Sequence, residues 1–90
     1  MDRYVIERSL PGAGSMSRQE LQDISRKSNQ VLDELGEQVK WVESYVTDDK
    51  LYCVYDAADP DLITEHARRG GFPCDRVSQV HSTISPDTGR

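Results

Sequence analysis

The chain is poor in the features that usually announce a function. It holds two cysteines, Cys53 and Cys74, and two histidines, His66 and His81. No CxxC, HxxxH or HExxH spacing occurs, so the common metal and redox motifs are missing. Pro11-Gly12-Ala13-Gly14 lacks the dinucleotide fingerprint and reads as a turn, and no serine stands in a recognisable nucleophile context. Basic charge is scarce as well: 11 Lys and Arg against 16 Asp and Glu give a net charge of −5. Without a basic stripe there is nothing to neutralise a phosphate backbone, which excludes nucleic acid as the expected partner. Arg68-Arg69 falls in the last turn of an expected helix, where the macrodipole accounts for it. No apolar run approaches a membrane span, and Met1 to Arg8 carry charges where a secretory signal needs an apolar core. The expected location is therefore the cytoplasm, with both thiols free.

What is present fits one small α+β domain. Ninety residues at 36% hydrophobic and 30% charged bury only a thin core, and homodimerisation is a natural way to bury more. Residues 3–10 read as a strand ended by Pro11-Gly12. Ser17 and Glu20 have capping-box spacing, with Met16 and Leu21 placed as a hydrophobic staple. Leu21, Ile24, Val31, Leu32 and Leu35 then share a helical face in which Ser28 is a polar gap, and Gly36 stops the helix. Residues 39–47 and 50–57 form a hairpin around Asp48-Asp49. Asp59 caps a second helix with Pro60 at its first position; Leu62, Ile63, His66, Ala67 and Gly70 lie on one face, and Gly70-Gly71 ends it. A last strand is expected from about Arg76 to Ile84. The order β-α-β-β-α-β is that of a ferredoxin-like plait: a four-stranded antiparallel sheet with two helices on one face. The domain spans residues 1–86, and residues 87–90 are expected to fray.

Four side chains are candidates for chemistry. His66 lies on the buried stripe of the second helix, as a core histidine or as a ligand or proton-transfer group. Cys53 sits in a central strand, as a small hydrophobe or a thiolate ligand. Its face depends on the hairpin: a two-residue turn sets Ser44 opposite Cys53, and a three-residue turn sets Glu43 there. Glu7 belongs to the neighbouring central strand and is expected close to Cys53, while Arg8 points to the other face. Glu7, Glu43, Cys53 and His66 together would offer oxygen, thiolate and imidazole, a set suited to nickel or zinc. Trp41, Tyr45, Tyr52 and Tyr55 fit a core, a dimer interface or the lining of a pocket for a small aromatic ligand. His81 is expected to be exposed.

The phrases RYVIERSLPGAG, WVESYVTDDKLYCVYDA and EHARRGGFP resemble a family of short bacterial domains of mostly unassigned function, all ferredoxin-like, that includes an actinobacterial nickel-binding protein. The resemblance runs from Arg3 to about Pro86. It implies an α/β plait that forms homodimers and, for at least one member, nickel binding. Cys53 and Glu7 are the positions that the resemblance carries over most readily, whereas that member has a histidine where Glu43 stands and none corresponding to His66. The first expectation is thus a dimeric protein binding a divalent transition metal, with nickel leading. Two alternatives belong to other classes: a cofactor-free enzyme related to dimeric α/β-barrel monooxygenases with His66 as base, and a non-catalytic dimerising interaction domain.

Overall fold

The computed structural model describes every residue from Met1 to Arg90. Its elements are β1 (Asp2–Ser9), α1 (Arg18–Leu35), β2 (Val39–Val46), β3 (Lys50–Ala57), α2 (Pro60–Gly70) and β4 (Arg76–Gln79). The strands form one antiparallel sheet in the order β2-β3-β1-β4, so the ferredoxin-like architecture is as the element order implies. Short 3-10 turns at Ala13–Ser15 and Pro86–Gly89 complete the chain; the second lies in the expected tail and buries nothing.

Local chemistry explains the helix ends. Ser17 Oγ accepts from the Glu20 amide while the Glu20 carboxylate accepts from the Ser17 amide, so two otherwise orphaned N–H groups are satisfied. Asp59 accepts from the Asp61 amide at the start of α2, beside Pro60. At the other end Gly71 takes the left-handed conformation, with φ +69°, and turns the chain back across α2. The Phe72 ring then lies so close that a Cβ on Gly70 would sit 2.2 Å from it. Gly70 is therefore a packing requirement as well as a stop signal.

The strands alternate in two registers of exposure. Tyr4, Ile6 and Arg8 of β1 and Cys53, Tyr55 and Ala57 of β3 are buried beneath the helices. Arg3, Val5 and Glu7, with Tyr52, Val54 and Asp56, occupy the opposite face, which no helix covers. The core consists of Tyr4, Ile6, Val39, Cys53, Tyr55, Ala57 and Ile63, with Leu32, Leu35 and Leu62 packed against it. The hairpin turn is the two-residue form: Thr47 N–H donates to Lys50 O at 2.9 Å, and Ser44 stands opposite Cys53. A β-bulge between Trp41 and Glu43 was not legible in the sequence. It brings Trp41 opposite Tyr55 on the helix side and leaves Glu43 opposite Val54 on the open side.

The last strand is shorter than the expected run to Ile84. Its pairing with β1 ends at Tyr4 and Gln79, followed by one more bond from Val80 N–H to Arg3 O. Beyond Val80 only the first residues of the chain, Asp2 and Met1, remain opposite, and no further ladder forms. His81 is exposed, as expected, but outside the strand.

Candidate functional site

A cavity of about 70 Å³ lies between the sheet and the helices, and eight of its thirteen lining residues are hydrophobic. Leu21 and Ile24 of α1 form one wall; Trp41, Leu51, Cys53 and Tyr55 form the sheet side; Phe72 closes the end behind α2. The polar groups that reach it are few. Arg8 is only 3% exposed, because β1 alternation places it in line with Tyr4 and Ile6. Its Nη1 donates to the Pro73 carbonyl, and its guanidinium carbon lies 5.8 Å from the centroid of the Phe72 ring. Its Nη2 is buried without a partner.

His66 is 1% exposed. The imidazole sits between Tyr55 and Phe72, with both ring centroids 5.4 Å away. Its Nε2 is 3.0 Å from Ser28 Oγ, across from α2 to α1. Its Nδ1 is buried without a partner. Burial first, and the Arg8 charge second, push its pKa down from 6.5 to about 4, so the ring is neutral at neutral pH. Burial also raises the Tyr55 phenol, against an opposing influence from Arg8. Cys53 is a buried free thiol on the same wall, and Cys74 is a second free thiol outside the cavity lining.

The four expected metal ligands do not meet within one chain. Cys53 and His66 line the cavity, whereas Glu7 and Glu43 project from the opposite face of the sheet. The reason is the two-residue period: Glu7 pairs with Tyr52 and Ile6 with Cys53, so Glu7 and Cys53 are close along the backbone but on opposite sides. Glu7 lies 3.8 Å from the Lys50 ammonium, and Glu43 accepts a hydrogen bond from the Tyr45 hydroxyl. No three His, Cys, Asp or Glu side chains are grouped to hold a metal ion. The interior pair also sits beside the Arg8 guanidinium, and a second cation there would be repelled at low dielectric. Cys53 and His66 therefore do not fit a divalent metal.

Two residues that matter to the cavity escaped the sequence reading, although each left a trace. Ser28 is the polar gap in the apolar stripe of α1, and that gap is filled by the partner of His66. Arg8 follows Tyr4 and Ile6 at the same strand period and shares their burial. Trp41, expected in a core, an interface or a pocket lining, reaches the cavity through the bulge, which has no local signature.

No helix is long and apolar enough to cross a membrane. Among curated proteins none matches the chain. The crystal structure of SCO4226 from Streptomyces coelicolor A3(2) is similar in fold, with a TM-score of 0.75 and 15% sequence identity over 91% of this chain and 99% of that one. Residues 4–80 match the family described as nickel responsive protein SCO4226-like. That match spans most of the 90 residues, and the chain belongs to the SCO4226-like family of nickel-responsive proteins.

Proposed function

We propose that this protein works as a homodimer that takes up a divalent transition metal, nickel first, at the uncovered face of its sheet. Family membership carries the reading, because the family is described as nickel responsive. Glu7 and Glu43 are the proposed ligands. They share the open face, and a two-fold axis there would double them to four carboxylates. An oxygen shell completed by water holds nickel more tightly than manganese at the same site, by the Irving–Williams order.

The dimer is supported by apolar surface on that face. Val42 is 43% and Tyr45 55% exposed, and Val5, Val54 and Val80 line a shallow groove beside them. Enclosing these side chains in a second copy removes them from water, and the flanking charges form a polar rim. Isothermal titration with nickel, alongside sedimentation of the same samples, tests both parts. Wild type should be dimeric and bind nickel saturably, with binding lost in the Glu7→Gln/Glu43→Gln double variant and kept in Cys53→Ala/His66→Leu. A monomer that binds no nickel, or a double variant that binds as wild type, overturns the assignment.

A further inference from the structure

The chain ends in a segment that its own fold does not use. Every residue from His81 to Arg90 is exposed, and Ile84, at 79%, is the most exposed large apolar side chain of the molecule. The segment nevertheless holds a shape through its own bonds. Thr88 N–H donates to Ser85 O and Ser85 N–H to Thr88 Oγ1, both at 2.9 Å, and Arg90 pairs with Asp87 at 2.7 Å. It also starts at the open face. Val80 and Thr83 stand with Val5, Val42, Tyr45 and Val54 around a groove of about 320 Å³ there. The segment thus forms one wall of that groove, with Thr83 turned into it and Ile84 left outside.

We propose that residues 81–90 are a clasp exchanged between two copies of this chain, with Ile84 of each seated in the partner's open-face groove between Val42 and Val54. The inference rests on the dimer reading above and names the segment that closes the dimer. Interface size calls for such a segment. Alternation turns half of the strand residues, roughly fourteen, to the open face. A standard interface draws on about 20–30 residues a side, and the ten residues of the arm bring the face into that range. Symmetry places the arm correctly. A two-fold contact through the open face sets one groove opposite the other, so an arm rooted in the wall of its own groove also lies beside the partner's. Its reach suffices as well: the four residues after Val80 span up to roughly 13 Å, more than the ~10 Å between stacked sheets. The seat is apolar, five of its eight lining residues being hydrophobic, and an exposed isoleucine gains by leaving water for it.

Mixing two variants tests the exchange. Ile84 is almost fully exposed within one chain, so Ile84→Asp leaves the fold of a single copy alone; Val42, 43% exposed, admits Val42→Asp for the same reason. Dimer dissociation of the full chain is measured by sedimentation equilibrium, in EDTA and again with nickel, which separates the arm from any metal. Each variant alone should dissociate at least ~10-fold more readily than wild type, as expected when an aliphatic side chain loses its buried seat. Ile84→Val should stay close to wild type. An equimolar mixture of the two Asp variants should form a heterodimer tighter than either homodimer, beyond the statistical advantage of mixing, because it keeps one intact arm in one intact groove. A dimeric wild type whose Ile84→Asp variant dimerises as tightly overturns the clasp and leaves the dimer standing. Two weakened variants whose mixture gains nothing overturn the exchange as well. Wild type that stays monomeric with and without nickel overturns the dimer reading and the clasp together.

Discussion

The two faces of the sheet treat charge in opposite ways. On the open face, Arg3 holds Asp56 through two bonds of 2.8 and 3.0 Å, and Glu7 lies near Lys50. Water screens these pairs, so each charge finds an opposite neighbour at little cost and contributes little. On the helix face a single arginine enters the interior with no acid to meet it, next to a histidine that burial keeps neutral. The sheet thus pairs its charges where water already screens them and leaves one without an acidic partner where burial makes that costly.

The comparison breaks most severely where apolar packing holds the helix face together. Ile6 is fully buried, and Ile6→Ala should cost roughly 2–5 kcal/mol in urea denaturation, while Val5→Ala one residue away on the open face should cost well under half as much. If the two substitutions cost the same, the faces are not packed as described. Gly70→Ala places a methyl group into the Phe72 ring and should cost roughly 1–3 kcal/mol, with the ring forced away from Arg8 and His66. Near-UV circular dichroism and the Phe72 resonances would register that movement even where stability is partly recovered.

Acid sharpens the same contrast. The pKa of His66 is lower in the folded chain, about 4, than its ordinary value of 6.5, so the unfolded chain takes up the proton first. Stability is therefore unaffected above about pH 6.5 and declines as pH falls toward about 4, and the His66→Leu variant should lose much of that decline. Denaturant midpoints of both proteins across that window are the measurement, and parallel curves would remove His66 as the cause. At the outer surface of the helix layer the acid response is smaller and lies lower. Glu65 at the surface of α2, held down to about 2 by hydrogen bonds from Arg68 and Arg69, loses its contribution only as pH falls below its ordinary 4.5. The smallest effect belongs to the open-face ion pair: Arg3→Ala should cost less than about 1 kcal/mol and should matter less at high salt.

Much of the architecture was legible because it rests on local rules. The capping box at Ser17 and Glu20, the Asp59-Pro60 start of α2 and the Gly70-Gly71 stop follow from backbone hydrogen bonding within one turn. The burial of Ile63, His66 and Ala67 follows from helical periodicity. The site was legible only in part. His66 and Cys53 reach one cavity, as their separate placements allowed, but Glu7 and Glu43 do not join them, because grouping four residues from four elements needs every strand register at once.

The sequence by itself determined the element order, the helix boundaries and the family, since each depends on residues adjacent in the chain or on a pattern shared along it. Only the tertiary structure decided which face each polar residue serves. The two-residue turn at Asp48-Asp49 sent Cys53 inward and Glu43 outward, and the bulge between Trp41 and Glu43 turned the tryptophan into the cavity. Packing then left Arg8 and His66 each with one unanswered nitrogen. In a sheet a shift of one residue exchanges inside for outside, and that choice is made by contacts between strands rather than by composition within one.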